Sequence, residues 1–382
     1  MKIGQRVFKD GMIHAGALRE LAGIDPDLVL VFGAAASFAR GDLHAGLRAS
    51  FPTARLAGCS TAGEIAGEEV HDGALVVTAI RFEATALRLV SERVAAMEES
   101  EAAGGRIGER LNGPDLRAIL LFSKGLGVNG SAIIGGITSR IDASVAVTGG
   151  LAGDGGAFQR TWVLDDDGVH DDGVVGIGLY GDAVRVGYGS YGGWEPFGPA
   201  RRVTRCAGNV LFELDGEPAL NVYKRYLGDY AKDLPASGLL FPFEMLGEDH
   251  GRLGLIRTIL GIDEQAGSLV LAGDIDPHGY LRLMHASTDA LVNGAETAAE
   301  TTRDMVRDCG AGLAVLVSCV GRKLVMGDHV DEEVEVVAEA LAEGTVTTGF
   351  YSYGEISPFS TTTECKLHNQ TMTITFVAED AH

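Results

Sequence analysis

The amino-acid sequence predicts an α/β protein of two domains, with mixed β-sheets flanked by helices and built from repeated β-α-β-plus-hairpin units. Three observations predict this fold class. The chain has 382 residues, enough for about two domains of ordinary size. Apolar strand-like runs alternate with helix-like segments, as in sheets that contain parallel strands. One pattern of strand, helix, short strand, glycine turn and further strand recurs three times.

The three copies follow the same order of elements. The first has a strand at 28–32, a helix at 42–50, a glycine turn at 58–64 and a strand at 74–80. The second has a strand at 118–122, a helix at 130–140, a glycine turn at 149–154 and a strand at 173–180. The third has a strand at 313–317, a helix at 331–343, a glycine turn at 349–355 and a strand at 371–377. Such agreement favours one unit used three times; the alternative is that a glycine-rich chain yields these matches by chance.

The region between the second and third copies belongs to neither. Residues 253–284 are rich in predicted strands, and Ser287 then caps a long helix. The helix is predicted to turn inward its residues Leu291, Ala295, Ala298, Thr302 and Met305. The composition changes most clearly at 198–207, so we predict domains at residues 1–200 and 201–382.

Composition argues against several classes of partner. Lys and Arg number 31 against 53 Asp and Glu, a net charge of −22, which disfavours a nucleic-acid backbone or an anionic membrane. The first residues lack the apolar core of a leader sequence. The longest uncharged stretch, 125–139, is too short and too rich in glycine to span a bilayer. We expect a cytoplasmic protein with no nucleic-acid partner and no membrane insertion.

Neither a metal site nor a disulfide framework is predicted. The five cysteines are odd in number and widely spaced, which favours free, buried thiols in a reducing compartment. The histidines form no H-E-x-x-H motif, and the acidic run at 165–172 lacks the calcium-loop pattern. We therefore expect no cofactor and no resident metal ion.

A glycine motif opens the helix of the second copy. Gly125–Gly130 reads G-x-G-x-x-G between a strand and a helix, the context of a dinucleotide site. The next strand ends at Thr148 and Gly149, so the acid that contacts a ribose is missing there. A tight glycine turn without a nucleotide is the favoured interpretation.

The acids of the three glycine turns are the strongest candidates for ligand binding. Glu64, Asp154 and Glu355 each end a turn whose glycines expose backbone N–H groups. If the three units pack together, these carboxylates would converge on one pocket and contact an amine. The alternative is that each acid accepts hydrogen bonds from its own turn.

Three small residues lie inside the first turn, namely Cys59, Ser60 and Thr61. We include them among the ligand-binding candidates because their side chains accompany Glu64. A nucleophilic Cys59 would need a base, and no histidine is close in sequence. A small buried turn residue is therefore favoured over a catalytic thiol.

Two aromatic-glycine segments share the pattern S-Y-G-x-x-x-P-F, at 190–197 and 352–359. Aromatic and hydroxyl side chains beside bare backbone suit the wall of a small-ligand site. The candidates from these segments and the residue before the second are Trp194, Tyr351, Ser352 and Tyr353. The alternative is that the aromatic rings cover glycines of a sheet.

Several segments together resemble a known family. They are 58–65 (G-C-S-T-A-G-E-I), 148–154, 173–176, 189–194, 274–279, 351–356 and 367–371. In this order they are similar to the FIST N and FIST C domains of signal-transduction proteins. The resemblance implies a cytoplasmic sensory module that binds small ligands such as amino acids. Because the chain outside these segments is short, it also implies signalling to a separate output protein, such as a kinase, a cyclase or a receptor.

Three hypotheses of function follow. The first is a sensor that binds an amino-acid-like ligand through the turn acids and glycine-turn N–H groups. The second is an enzyme of thiol or acid–base type that uses Cys59 or the turn acids. The third is a protein-interaction module without a small ligand. The resemblance supplies no catalytic residues, and none is assigned.

Overall fold

In the first 81 residues, two parallel strands lie between antiparallel neighbours. The computed structural model describes residues 1–14, 16–358 and 364–380. The elements of this first repeat are β1 (Lys2–Phe8), α1 (Arg19–Ala22), β2 (Leu28–Ala34), α2 (Ala35–Ala39), α3 (Leu43–Ser50), β3 (Arg55–Thr61), β4 (Glu64–Ala66), β5 (Glu69–His71) and β6 (Leu75–Arg81). Because α2 and α3 carry the chain back across the sheet, β3 runs parallel to β2, whereas β6 and β1 add antiparallel strands on the other side.

The second repeat has the same plan. Its elements are β7 (Ala86–Arg93), a 3₁₀ turn (Met97–Glu99), α4 (Ser100–Leu111), β8 (Leu116–Ser123), α5 (Gly130–Thr138), β9 (Ala146–Leu151), β10 (Val163–Leu164), β11 (Val169–His170) and β12 (Gly173–Tyr180). β8 and β9 are parallel, and β12 and β7 follow as antiparallel strands. The predicted copies did not include the leading strand and helix of each repeat, so a repeat is longer than a predicted copy.

The third repeat is interrupted after its leading strand, β13 (Val184–Tyr191). Residues 195–285 form an antiparallel sheet of their own and are called the insertion below. Its elements are β14 (Glu195–Pro196), β15 (Arg201–Ala207), β16 (Val210–Leu214), β17 (Glu217–Pro218), α6 (Ala219–Leu227), two 3₁₀ helices (Gly228–Asp233 and Ala236–Leu240), β18 (Phe243–Leu246), β19 (Arg252–Arg257), β20 (Ile259–Asp263), β21 (Ser268–Leu271) and β22 (Tyr280–His285). The strand-rich region 253–284 lies inside it, which confirms that this region is outside the repeats.

The chain then completes the third repeat. The remaining elements are α7 (Thr288–Met305), β23 (Leu313–Cys319), α8 (Val320–Met326), a 3₁₀ turn (Gly327–His329), α9 (Glu332–Ala340), β24 (Val346–Ser352), β25 (Gly354–Pro358), β26 (Cys365–His368) and β27 (Met372–Glu379). β23 and β24 are parallel, with β27 and β13 antiparallel beside them. The predicted α/β fold with mixed sheets, built from three related units, is confirmed. Residues 1–14, 16–191, 288–358 and 364–380 are called the body below.

The repeats exchange hairpins in a ring. Hairpin β4–β5 of the first repeat pairs with β24 of the third. Hairpin β25–β26 of the third pairs with β9 of the second, and hairpin β10–β11 of the second pairs with β3 of the first. Each six-stranded sheet of the body is therefore completed by a neighbouring repeat.

The first turn glycines, Gly58, Gly149 and Gly349, occupy equivalent positions in the three sheets. They stand opposite Val31, Leu121 and Leu316 in the parallel strand pairs. A Cβ on these glycines would lie 1.8, 2.0 and 1.9 Å from the facing carbonyl oxygens. The recurring glycine is thus required by the close approach of two backbones, at the same register position in each repeat.

The body has a common core at the place where the sheets face one another. One aromatic ring from each repeat meets there: the ring of Phe32 lies 5.3 Å from that of Phe122 and 4.8 Å from that of Phe350. Helix α7 packs on β13, with Ser287 accepting a hydrogen bond from Ala290 N as the predicted cap. The prediction that Met305 turns inward is wrong, because this side chain lies at the C-terminal end of α7 and is 45% exposed.

The predicted boundary between residues 200 and 201 falls within the insertion, at the start of β15. One sheet of the body joins strands from both sides of this boundary: β13, β4 and β5 precede it, whereas β23, β24 and β27 follow it. The division of the chain into 1–200 and 201–382 stays a prediction.

Candidate functional site

The three glycine turns meet one another inside the body. Gly153 N donates to Ser60 O at 2.9 Å, and Ala62 N donates to Tyr351 O at 2.8 Å. Tyr353 N donates to Leu151 O at 3.2 Å and closes the ring of contacts. The turns therefore converge, but they pack directly on one another, and most of their residues are buried.

Glu64 and Glu355 are equivalent and buried. Thr61 Oγ1 donates to Glu64 Oε1, and Ala74 N donates to Oε2 at 2.9 Å. Ser352 Oγ donates to Glu355 Oε1 at 2.6 Å, and Thr371 N donates to Oε2 at 3.2 Å. Burial raises the pKa of Glu64 to about 7 and that of Glu355 to about 8, although these hydrogen bonds act in the opposite direction. Each carboxyl group thus accepts from its own turn through one oxygen, as in the alternative left open by the sequence, and from the residue before the last strand of its repeat through the other.

Asp154 differs from the other two acids in position and in environment. Val163, which stands opposite Cys59, takes the sheet position that Glu64 and Glu355 occupy in the other repeats. Asp154 instead lies in the loop before β10 and accepts hydrogen bonds from the backbone N–H groups of Phe158, Gln159 and Arg160. Burial acts to raise its pKa, but the hydrogen bonds from Tyr353 and these N–H groups outweigh it and lower the pKa.

Tyr353 links this loop to the third repeat. Its hydroxyl donates to Asp154 Oδ1 and accepts from Gly156 N at 3.1 Å. Its ring stacks on Phe158, with centroids 4.3 Å apart and an interplanar angle of 11°. Of the predicted turn residues, Asp154 and Tyr353 are therefore brought together, from two different repeats.

The residues inside the first turn are enclosed. Cys59 has no exposed surface, and burial raises the pKa of its thiol well above the usual value. Ser60 Oγ donates to Gly153 O at 2.7 Å and accepts from Trp162 N at 2.8 Å. The hydroxyl of Thr61 donates its hydrogen bond to the carboxyl group of Glu64. Cys59 is thus a neutral, enclosed thiol, and the cysteines of the chain are all free, as predicted.

Tyr351 belongs to a buried charge network that the sequence analysis missed. Its hydroxyl donates to Glu333 Oε1 at 2.6 Å, and Arg322 Nη2 donates to Glu333 Oε2 at 2.6 Å. Arg322 and Glu333 have no exposed side-chain surface. Arg322 also donates to the carbonyls of Gly192 and Leu291, so it holds the segment that leads into the insertion against α7. The two charges lie on different helices, α8 and α9, so no spacing in the sequence signalled that they pair or that both are buried.

The contact zone between insertion and body, which we call the seam, contains four cavities that are lined by described residues. The apolar cleft, of about 840 Å³, is lined by Gly155, Gly156, Phe158, Tyr230, Asp233–Ser237, Leu239, Leu240, Ile259, Leu260 and Leu324. The arginine cavity, of about 470 Å³, lies between α5, β26 and Arg257. The tryptophan cavity, of about 250 Å³, contains Tyr191, Trp194 and His368. The glycine-turn cavity, of about 210 Å³, contains Gly125–Gly130, Asp274 and Tyr353.

The predicted aromatic walls thus belong to different cavities. The first segment begins at the end of the leading strand β13 and the second at the end of β24, so the shared pattern does not mark equivalent positions. Trp194 Nε1 donates to Gln370 O at 2.8 Å beside the tryptophan cavity, whereas Tyr353 lines the glycine-turn cavity. Phe359, the last residue of the second pattern, lies outside the described residues.

The G-x-G-x-x-G motif forms a helix cap. Asn129 Oδ1 accepts from Ala132 N at 3.0 Å at the start of α5, and Gly127 has φ +62°. Across residues 1–14, 16–358 and 364–380, no three His, Cys, Asp or Glu side chains are grouped in a way that would hold a metal ion. Over the same ranges, no helix has the length and apolarity needed to cross a bilayer.

Tyr353→Phe tests the contact between the second and third repeats. The variant loses the hydroxyl that donates to Asp154 and accepts from Gly156 N and Phe158 N. We expect the free energy of unfolding to fall by about 1–2 kcal/mol and the amide hydrogens of residues 156–160 to exchange faster. Tyr191→Phe, on a half-exposed ring, is the control; equal exchange in both variants would contradict the contact.

An α/β body of three interlocked repeats, interrupted by an antiparallel insertion, is the class of protein that these features define. The chain belongs to the FIST family: the model of the FIST N domain matches residues 27–217, and that of the FIST C domain matches residues 219–358. FIST domains are sensory domains of signal transduction and are thought to bind small ligands.

The curated relatives are similar over part of their length. An uncharacterised protein of Methanocaldococcus jannaschii is 28% identical over 205 residues, which are 49% of this chain and 38% of the relative. Uncharacterised proteins of Mycobacterium bovis and Mycobacterium tuberculosis are each 25% identical over 222 residues, which are 56% of this chain and 56% of each relative. The chain therefore matches between about two fifths and a little over half of these relatives.

Proposed function

We propose that this chain is a sensory module whose small ligand binds in the apolar cleft of the seam and that a separate signalling protein responds to the bound state. The observation that carries the proposal is the cleft itself. Its volume of about 840 Å³ is within the range of small-molecule sites, and its lining is apolar with few polar groups, as in such sites.

The cleft is built from both parts of the molecule. The body contributes the loop Gly155–Phe158 and Leu324 of α8, and the insertion contributes the segment Tyr230–Leu240 and Leu260. Phe158, Tyr230, Leu260 and Leu324 are large apolar side chains that remain 37–53% exposed. A ligand that covers them gains apolar burial on both sides of the seam, so it favours the arrangement in which insertion and body hold it together.

The loop of the cleft leads to the convergent turns. Phe158 stacks on Tyr353, and Tyr353 is hydrogen-bonded to Asp154. A ligand that moves Phe158 therefore acts on a contact between the second and third repeats. This is a physical route by which an occupied cleft changes the surface that an output protein such as a kinase, a cyclase or a receptor contacts.

The lining indicates the class of ligand. Leu234, Leu239 and Ile259 accommodate an aliphatic or aromatic body, and the exposed carboxylate of Asp233 attracts an ammonium group at the cleft. We infer an amino-acid-like metabolite with an apolar side chain. Glu64 and Glu355 are not among the lining residues of the cleft, so their predicted contact with a ligand amine is replaced in this proposal by Asp233.

A thermal-shift and calorimetric screen of the standard amino acids and their decarboxylated amines tests the proposal. We expect apolar members to raise the melting temperature of the wild type. The double variant Leu260→Ala, Leu324→Ala removes one apolar contact from each side of the cleft and should weaken binding about tenfold or more.

Leu253→Ala is the matched control, because Leu253 is an exposed leucine of the insertion that does not line the cleft. It should bind like the wild type. Equal affinities for the double variant and the control, or the absence of any shift in the wild type, would contradict a ligand site in the apolar cleft.

A further inference from the structure

The arginine cavity holds a buried cation without an acidic partner. Arg257 ends β19 of the insertion and is 4% exposed. Its guanidinium donates to three backbone carbonyls, through Nε to Asp274 O at 3.1 Å and through Nη1 to Ile256 O at 3.1 Å and Leu367 O at 3.4 Å. Among the described residues, Nη2 has no hydrogen-bond partner, and no carboxylate lies within ion-pairing distance of the guanidinium.

Arg322 provides a contrast within the same molecule. Arg322, the other large buried cation discussed above, is fully compensated by Glu333. Burial lowers the pKa of Arg257 to about 10, and the more distant charge of Asp274 offsets this only in part. A buried charge without an opposite charge is costly, and an anion that enters the cavity would remove that cost.

The rest of the lining is mostly aliphatic. Lys366 also lines the cavity, but its ammonium group is ion-paired with Glu364, so among the described lining residues Arg257 is the cation left for an anion. The aliphatic side chains Ile134, Ile141, Val145 and Leu367 form an apolar surface beside Arg257. The volume of about 470 Å³ is ample for a molecule of the size of an amino acid, and a bare inorganic anion would leave the aliphatic surface without a contact.

We propose that the arginine cavity is a second ligand site, which binds the carboxylate of a small aliphatic acid to Nη2 of Arg257. The aliphatic part of the acid packs on the apolar surface of the cavity. Asp142 also lines the cavity, so an acid that carries an ammonium group, such as leucine, is admitted as well as a simple carboxylic acid. Both amino acids and simple carboxylic acids would bind through their carboxylate, and a titration with matched probes distinguishes the two classes.

Arg257 lies at the seam, where the insertion contacts the body. Arg257 belongs to the insertion, and the carbonyl of Leu367 that it contacts belongs to β26 of the body. A carboxylate at Nη2 therefore touches the residue that joins the two parts. The binding itself is independent of the apolar cleft; only its role as a signal rests on the proposed function.

Isothermal titration with three matched probes tests the site: 4-methylpentanoate, leucine and 3-methylbutylamine. The first lacks the ammonium group, the last lacks the carboxylate, and all share a branched aliphatic body. We expect 4-methylpentanoate to bind and the amine not to bind at this cavity. Leucine that binds as well as 4-methylpentanoate would identify amino acids as the source, whereas weaker leucine binding would identify simple acids.

The Arg257→Gln variant should weaken binding of 4-methylpentanoate about 10- to 100-fold, since one charge-assisted hydrogen bond is lost. Arg257→Lys keeps the charge but not the geometry and should have an intermediate affinity. The control is Arg205→Gln, which removes the same charge from an exposed ion pair of the insertion. Unchanged binding in Arg257→Gln would overturn the proposal.

A steric variant tests the same site without touching Arg257. Gly135 lies in α5 and lines the cavity, and a Cβ at this position would meet no atom within 4 Å. Gly135→Leu should therefore fill the cavity, abolish binding of the acid and leave the fold intact. Binding that survives in Gly135→Leu, or a wild type that binds none of the carboxylates, would overturn the proposal. If binding is lost only in the double variant Leu260→Ala, Leu324→Ala and is kept in Arg257→Gln and Gly135→Leu, the ligand lies in the apolar cleft and the proposal is overturned.

Discussion

A Gly136→Ala variant is expected to unfold at a clearly lower denaturant concentration than the wild type. Helices α4 and α5 approach so closely that a Cβ on Gly136 would lie 2.2 Å from Glu101 O and 2.7 Å from Gly105 N. These are backbone atoms that cannot turn aside, so the helices must separate. We expect the free energy of unfolding to fall by about 3 kcal/mol, at the upper end for overpacking of a core.

The neighbouring glycine is the control. A Cβ on Gly135 meets open space, so Gly135→Ala should raise the free energy of unfolding by up to about 1 kcal/mol through helix propensity alone. Alanine at these two adjacent positions of one helix is thus expected to change the free energy of unfolding in opposite directions. If urea unfolding shows the same change for both variants, the close packing of α4 on α5 is wrong.

A Glu355→Gln variant is expected to be more stable than the wild type at neutral pH and equally stable near pH 4. Burial holds the pKa of Glu355 at about 8 in the folded chain, whereas an unfolded glutamate titrates near 4.3. Between these values the folded state retains a proton that the unfolded state releases, so stability falls as pH rises. At pH 7 this deprotonation of the unfolded state lowers the free energy of unfolding by about 3–4 kcal/mol, and the uncharged amide of glutamine removes that loss.

Glu379→Gln provides the opposite case. The N–H groups of Glu83 and Ala84 and the chain terminus outweigh burial and lower the pKa of Glu379 to about 2. The charged carboxylate of Glu379 therefore adds to the free energy of unfolding above pH 4.3, and this stabilisation is lost as the pH falls. The Glu379→Gln variant lacks the charge, so it should be less stable than the wild type at pH 7. Thermal melts between pH 4 and pH 8 check both variants; a Glu355→Gln curve parallel to that of the wild type would contradict the raised pKa.

The sequence was informative where one local pattern determines one local structure. The strand at 173–180 and the start of α5 at 130 were predicted at the observed residues, because apolar runs and turn glycines mark such boundaries. The repeat was recognisable from Gly58, Gly149 and Gly349, since each is needed for the same close approach of two strands.

Other features depend on partners that are distant in the chain. The second turn ends in an acid like the others, yet a longer loop moves Asp154 off the sheet and places Val163 at the equivalent position. The hairpin exchange joins residues from different repeats, which no local pattern encodes. The seam cavities arise where the insertion meets the body, so Phe158, Leu260 and Arg257 carried no motif that marks them as lining residues.

The ring of exchanged hairpins also bears on the order in which the chain can fold during synthesis. Once residue 170 has left the ribosome, the first sheet has all six of its strands, including the hairpin β10–β11. The second sheet must wait for β26, and the third for β27, near the end of the chain. Until then, β9 and the hairpin β4–β5 have unpaired edges, which are points of association with other chains. Synthesis of the stretch from β25 to β27 therefore completes two sheets almost at once and closes the ring.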